Sequence, residues 1–553
     1  MLRPALATAA LLIVPQLAQA QAQQTIDAGA QIQQIPPAPT LDRPQPQIII
    51  QNPSRAADDS KPGPSIAVSA LVLHGDTLFS ERQLMATTGF TAGTYDLHQL
   101  RQFAARITDY YNQHGYFLAQ AYLPAQDING GTVTINVVEG HYGEISLRNA
   151  SSLQDGVAHN VLDGLNGDVV TTAPLERRLL LLSEIPGVAL RSTLSPGAAV
   201  GTTNLIVDVT QARRFNGSVE ADNGGNRFTG NYRFGASLNW NNPTGHGDMF
   251  SLRALGSTSG LGYGRAAYQR LFGVATLGVA YSHIHYELGR EFKALDASGT
   301  ADVASLFTSY PLVRSRRANL YALGGLDAKW FTDRQRAFST ENHRRTTVVS
   351  LGLSGNSLDQ FAGGGANSFS VGVSGGDLNL LTPADRVIDQ ATARAEGHYA
   401  KLQASFAREQ KIAGSVSLYG SLRGQLASKN LDSSEKIELG GPYAVRAYPD
   451  GEAFGDEGYV ATAEARATLP VSALPGRVQL IGFVDVGEVR LAKDPWFTGP
   501  NNAHRSGAGV GLNWTAPNNF LVQATYARKL NNQSSTLFDD GKGRFWFRVA
   551  KLF

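Results

Sequence analysis

A chain of 553 residues with no Cys excludes disulfides, thiolate metal sites and cysteine nucleophiles, and a formal net charge of +2 offers no polycation for a nucleic-acid partner. The chain is too long for one ordinary core. Its 59 Gly, 3 Met and 42% hydrophobic content point to a large closed sheet or several domains rather than a helical protein.

The chain opens with Met1, Leu2 and Arg3, an apolar run over residues 5–14 and the small-x-small triplet Ala18, Gln19 and Ala20, which predicts a secretory signal peptide over residues 1–20. That run is too short to span a bilayer, and no later segment reaches the ~20 apolar residues that a transmembrane helix needs. Residues 21–64 are rich in Gln and Pro. Residues 25–35 have room for one short helix, and the prolines from Pro36 to Pro64 predict an irregular linker.

Residues 65–140 read as a first small α/β domain. A strand over residues 66–73 is followed by a short helix opening at Ser80 and Glu81. A stronger helix has Leu97, Leu100, Phe103, Ala104, Ile107, Tyr110 and Tyr111 on one face, and strands follow over residues 116–123 and 132–138. Residues 141–210 repeat the order, with strands over 143–147, 188–195 and 203–209 and a helix marked by Leu175, Leu179 and Leu182. Each domain can bury a modest core between two helices and a three-stranded sheet. Arg177 and Arg178 read as a solvated helix face.

From residue 211 to 553 the period changes to two. Leu277, Val279 and Tyr281 oppose Thr276, Gly278 and Ala280; Val349, Leu351 and Leu353 oppose Ser350, Gly352 and Ser354. The same alternation recurs over 368–374, 415–425 and 461–467 and ends with Phe545, Phe547, Val549 and Phe553. About sixteen such segments of roughly ten residues suit a membrane-spanning β-barrel, which satisfies every backbone group without water. A large soluble β-sandwich would hide its apolar face and show less repetition.

One stretch breaks the alternation. Residues 441–456 are turn-rich and charged, as expected of a loop folded into a pore, and carry Arg446. By spacing alone Arg446 fits a solvated loop arginine at least as well as a paired one. In residues 478–486 the parity turns Gln479, Ile481, Phe483 and Asp485 inward, so Asp485 is a lumenal carboxylate in need of a cation, and a guanidinium can bond it with two parallel contacts.

No enzymatic chemistry emerges. Ser374 in Gly-Val-Ser-Gly-Gly sits within an alternating strand and not at the strand-to-helix turn a nucleophile elbow needs; His283 and His285 share a strand face with no third ligand; no phosphate loop is present. The reading is of a non-enzyme, with no catalytic residues, no cofactor and no metal.

The tandem domains, the barrel, the loop motif Val445-Arg446-Ala447-Tyr448 and the strand motif Phe483-Val484-Asp485-Val486-Gly487 together resemble the outer-membrane transporters of two-partner secretion. These are the TpsB, or hemolysin-activator and hemagglutinin-transporter, branch of the POTRA-barrel superfamily. The resemblance implies a membrane all-β fold, an approximately 16-stranded transmembrane β-barrel preceded by two α/β POTRA domains. It implies a lumenal loop latch of Arg446, Tyr448 and Val445 whose strand partners are Asp485, Phe483 and Gly487, and a helix before the linker acting as a plug, for which residues 25–35 are the candidate. The implied function is export of a large adhesin- or cytolysin-type exoprotein from periplasm to cell surface. The implied partners are that exoprotein, bound at the POTRA domains through its N-terminal secretion domain, the lipid of the bacterial outer membrane and the barrel-assembly machinery, with the POTRA domains in the periplasm and no nucleic acid. A barrel-protein assembly factor of the same superfamily is the alternative. One departure stands out: Ala447 replaces a Gly usual in the family motif, and a position with positive φ would tolerate Ala poorly.

Overall fold

The computed structural model describes residues 26–40, 47–50, 64–128, 130–165, 168–471, 474–531 and 541–553, so the predicted signal peptide and most of the linker lie outside the described residues. A short helix α1 (Ala28–Gln33) comes first, capped by Asp27, whose side chain accepts from the Ala30 amide. The linker is not wholly irregular. Strand β1 (Gln47–Ile50) pairs in parallel with a strand of the second domain, because four residues free of proline can satisfy an open sheet edge.

The first domain comprises β2 (Ile66–Val68), β3 (Ala70–His74), α2 (Glu81–Thr88), β4 (Gly93–Tyr95), α3 (Leu97–Gln113), β5 (Gln120–Tyr122) and β6 (Thr132–Val138). Both helices begin with a capping box, Ser80 with Gln83 and Asp96 with Gln99. The predicted face of α3 buries Leu100, Phe103, Ala104, Ile107 and Tyr111 against the sheet β3-β6-β5. The expected strand over 116–123 shrinks to β5, since residues 115–118 turn toward the next domain. The second domain holds β7 (His141–Ala150), α4 (Asp155–Leu162), α5 (Thr172–Ser183), β8 (Val188–Pro196) and β9 (Thr202–Gln211). Its sheet has four strands, not three, in the order β1-β8-β9-β7.

The two domains are joined tightly. Phe117 and Leu118 pack on the second core, while the amides of Thr172 and Val170 donate to the Gly115 and Gly140 carbonyls at 2.9 and 2.8 Å. At this joint Glu139 is buried and accepts from the Thr77 amide (2.7 Å), the Leu78 amide (2.9 Å), the Tyr111 hydroxyl (2.8 Å) and the Thr77 hydroxyl. Burial alone would raise its pKa, but these donors together hold the carboxyl below its ordinary value. Burial, helped by that carboxylate, pushes the Tyr111 hydroxyl up.

Beyond β9, sixteen antiparallel strands close into a barrel. Its first strand, Phe215–Asp222, pairs with the last, Gly543–Leu552, from Ser218 opposite Leu552 to Asp222 opposite Arg548. The outer surface is apolar, with Leu351 68% and Val373 55% exposed, while Ser350, Ser374 and Gln425 point inward. No helix of the described residues is long and apolar enough to cross a membrane. The second domain docks on the turns at one barrel mouth. Arg177, expected to be solvated, instead donates to the Pro311 and Leu312 carbonyls at 2.6 and 3.1 Å, where the register of strand Ala297–Arg314 shifts between Pro311 and Val313. Arg178 turns back onto the Val161 carbonyl, and Glu184 pairs with Arg314 at 2.5 Å.

Replacing Glu139 by Ala strands buried donors and should destabilise the first domain by about 2–3 kcal/mol. Limited proteolysis of the whole chain should then cut within residues 64–140 at a lower temperature while the barrel survives. Because the folded pKa is depressed, the contribution of Glu139 is complete above the ordinary carboxylate pKa and fades as pH falls through the lowered value.

Candidate functional site in the barrel lumen

Between strands Val416–Ala427 and Glu457–Leu469, at the mouth away from the small domains, the chain turns back into the barrel as a long loop. Two-residue strands Ile437–Glu438 and Phe454–Gly455 pair with each other as the loop enters and leaves. Its tip is cross-tied by Val445 N to the Leu439 carbonyl (3.0 Å) and Gly441 N to the Tyr448 carbonyl (3.1 Å), and Gly441 takes φ +97°. Leu439, Val445, Ala447 and Tyr448 are all but fully buried against the barrel wall.

Arg446 sits at the centre of this contact. Its Nε and Nη2 donate to the two oxygens of Asp485 at 2.9 and 2.8 Å, and its own amide reaches Asp485 at 3.1 Å. Nη1 lies 2.8 Å from Glu464 Oε1, and the guanidinium stacks 3.5 Å from the centre of the Phe483 ring. Thr462 donates to Asp485 at 2.9 Å, and the Trp546 indole donates to the Arg446 carbonyl at 2.7 Å. Asp485 is fully buried, so removing the guanidinium would leave it an unpaired charge in a low-dielectric site, a loss on the order of 3–5 kcal/mol, whereas Glu464 keeps Arg466 at 2.7 Å.

The other predicted positions gather at the same place. The Tyr448 hydroxyl donates to Asn531 Oδ1 at 2.6 Å, with Lys529 and Arg505 over its ring. Val445 packs at Gly487, where an added Cβ would come within 2.6 Å of Leu439 Cδ1 and 3.3 Å of Val445 Cγ2. Glycine is needed there for close approach, not for backbone freedom. Three partners went unread in the sequence. Glu464 and Thr462 lie on the polar face of an alternating strand, but only the register Thr462 opposite Asp485 and Glu464 opposite Phe483 brings them to the arginine. Trp546 comes from the last strand, and nothing local marks it.

Ala447 does not adopt positive φ. Its methyl is accommodated by Gly507 on the facing wall, where any Cβ would overlap it. The departure from the glycine of the family motif is thus absorbed across the interface.

Helix α1 lies inside the lumen, beside the base of the loop. Asp27 accepts from Ser433 Oγ at 2.7 and 2.8 Å and pairs with Arg344 at 3.0 Å; Ala28 N donates to Asp333 at 2.9 Å, and Gln33 Nε2 to the Ser433 carbonyl at 2.7 Å. On the opposite side, Arg233 donates to the Gln34 carbonyl at 2.9 Å and Thr229 to Gln31 at 3.1 Å. Six residues cannot sustain a helix alone, so these contacts and a small apolar cluster of Ala28 with Ile284, Tyr286 and Phe331 hold it in shape. A cavity of about 660 Å³ adjoins it, lined in part by Ile26, Gln31, Phe292, Ile388 and Trp496. The helix is therefore held mainly by polar contacts rather than by close packing on every side. Elsewhere, Ser374 is within a strand and 3.0 Å from Ser350, and His283 meets Asp302 at 2.7 Å on the exposed surface.

Residues 201–514 match the family described as haemolysin secretion/activation protein ShlB/FhaC/HecB, and residues 66–140 match the ShlB-type POTRA domain. The heme/hemopexin transporter protein HuxB of Haemophilus influenzae (strain 86-028NP) is 29% identical over 469 residues, 83% of this chain and 81% of that protein. The outer membrane transporter CdiB of Dickeya dadantii (strain 3937) is 25% identical over 425 residues, 74% of each chain. The solved structure of CdiB from Escherichia coli shares the fold, with a TM-score of 0.70 at 21% identity over 91% of this chain and 93% of that one.

The pairing of Ala447 with Gly507 makes a sharp test. Gly507→Ala should push the loop tip off the wall and cost about 1–3 kcal/mol, and adding Ala447→Gly should recover most of that loss. Thermal unfolding of the parent, both single variants and the double variant checks it.

Proposed function

Because the chain belongs to the haemolysin secretion/activation family of ShlB, FhaC and HecB, an outer-membrane translocase family of two-partner secretion, we propose that its lumenal loop and α1 form the gate through which the partner exoprotein passes. The observation that carries this reading is a sixteen-stranded barrel whose lumen is occupied by two of its own segments, each held by hydrogen bonds and ion pairs. A barrel of that strand number leaves an aqueous channel when unobstructed. Hydrogen bonds and ion pairs can be exchanged one by one for water or for the polar groups of a passing chain, whereas a packed apolar plug could not.

Under this reading the POTRA domains face the periplasm and receive the exoprotein unfolded, through its N-terminal secretion domain. The chemistry of reception is strand addition. The linker strand β1 on β8 supports it, since that edge accepts a fourth strand in parallel register, Gln47 opposite Arg191 to Ile50 opposite Leu194. An incoming strand would compete with β1 for the same edge. Once α1 and the loop yield, the chain crosses the lumen, and folding outside draws the equilibrium outward by removing the unfolded form. Arg446 serves as the latch of the loop, Asp485 and Glu464 as its catch, and Phe483 as the surface it lies on. No step of this cycle breaks or makes a covalent bond in the cargo. The cargo class is a large adhesin- or cytolysin-type protein. The chain's own insertion draws on the barrel-assembly machinery and on lipid around the apolar belt.

Arg446→Ala and Asp485→Ala should each lower the amount of exoprotein reaching the medium while the barrel still folds; normal export by both variants would remove the latch role. Gly29 touches the loop base so closely that a Cβ would overlap Ser433 Oγ and stand 2.9 Å from Arg344. Gly29→Leu should therefore expel α1 and raise single-channel conductance in planar bilayers, and unchanged conductance would argue that α1 does not obstruct the pore.

A further inference from the structure

Three carboxylates from three separate elements converge on one guanidinium. Arg344, on strand Thr340–Asp359, pairs through Nη2 with Asp27 of the α1 segment (3.0 Å) and through Nη1 with Asp333 of strand Ala318–Gln335 (2.6 Å). Its Nε lies 2.7 Å from Asp432 at the loop base, an ion contact whose N–H is not aligned for a hydrogen bond. Nη2 also donates to Ser433 Oγ at 3.1 Å, and Phe331 faces the guanidinium from 4.8 Å. The side chain is largely buried, so water screens the cluster poorly.

One positive charge against three negative ones leaves the carboxylates mutually repelling. Asp333 is fixed to the wall, where Tyr286 donates to it at 2.7 Å. Asp27 and Asp432 belong to the two segments that block the lumen. The loop base does not depend on Arg344 alone: Glu435 pairs with Lys329 at 2.5 Å and with Lys401 at 2.8 Å, and Lys436 pairs with Asp456 at 2.8 Å. Among the described residues the N-cap of α1 has one ion pair, and that pair is with Arg344.

We infer that Arg344 is a positioning residue shared in competition between α1 and the loop base, so that its own contribution couples the two lumenal segments with a negative sign, opposing the direct bonds from Ser433 Oγ to Asp27 and from Gln33 Nε2 to the Ser433 carbonyl. When α1 leaves, a repelling carboxylate departs and Arg344 is freed to bind Asp432 more fully. Departure of α1 thus strengthens the Arg344–Asp432 contact at the loop base even as Ser433 loses its bonds to Asp27 and Gln33. The inference rests on the reading of α1 as a removable plug.

The sign makes it testable. The natural chain has no Cys, so Ala30→Cys places a single thiol on the buried side of α1. Its rate of labelling by a water-soluble maleimide, in full-length protein in lipid vesicles, reads how often α1 leaves. Asp432→Asn preserves an oxygen to cap the Ser434 amide (3.0 Å in the parent) but removes the competing charge. It should slow labelling by roughly tenfold, the size of an interaction worth one pKa unit, and Arg344→Gln should speed it by a similar factor. If both residues merely supported packing, both variants would speed labelling. Faster or unchanged labelling with Asp432→Asn overturns the sharing. Gly29→Leu is the separate arm: if it fails to speed labelling, α1 does not leave when displaced, and the plug reading falls instead.

Discussion

A β-barrel in lipid has to close, because an open edge would leave backbone donors and acceptors without partners, and closing sixteen strands leaves a lumen too wide for wall side chains to fill. Both halves of that constraint shape the molecule. The outer face is apolar, with exposed Leu, Val and Phe recurring on many strands, while the inner face is polar and must either stay wet or be filled from elsewhere. It is filled by the chain itself, with α1 and the long loop.

The filling is ionic because of the wall it meets. Arg446 against Asp485 and Glu464, Arg344 against Asp27 and Asp432, and Lys329 with Lys401 against Glu435 all bridge a lumenal segment to a strand. Buried pairs of this kind add little net stability once desolvation is subtracted, yet breaking one partner is costly, so they specify position more than they stabilise the fold. That suits a barrel whose contents must be well placed at rest and removable in use. Small residues set the approach distances. Gly487 lets Leu439 and Val445 reach the wall, Gly507 receives the Ala447 methyl, and Gly29 brings α1 against Ser433. At none of these three is φ positive; what each supplies is the absence of a Cβ.

At the other mouth the small domains are fixed to the barrel and to each other by contacts to backbone carbonyls, by apolar packing of Phe117 and Leu118 and by the Glu184–Arg314 ion pair. Arg177 shows the principle: a helix-surface arginine becomes a docking residue because an irregularity near the end of a barrel strand presents the Pro311 and Leu312 carbonyls to it. The added strand β1 follows from the same need, since β8 would otherwise be an open edge.

The sequence alone carried the periodicities, and with them most of the architecture. Helical spacing marked the buried face of α3, and strict alternation over residues 211–553 carried the barrel and the inward direction of Asp485, because a period of two depends only on the local backbone. The same alternation put Thr462 and Glu464 on a polar face. What it lacked was register. Only the closed sheet sets Thr462 opposite Asp485, brings Trp546 across from the last strand to the Arg446 carbonyl, and supplies Gly507 for Ala447. The three-carboxylate cluster on Arg344 was illegible for the same reason, since its members are spread from residue 27 to residue 432 and meet only when the chain folds back into its own pore. Local pattern decided which way each side chain points, and tertiary structure decided what it finds there.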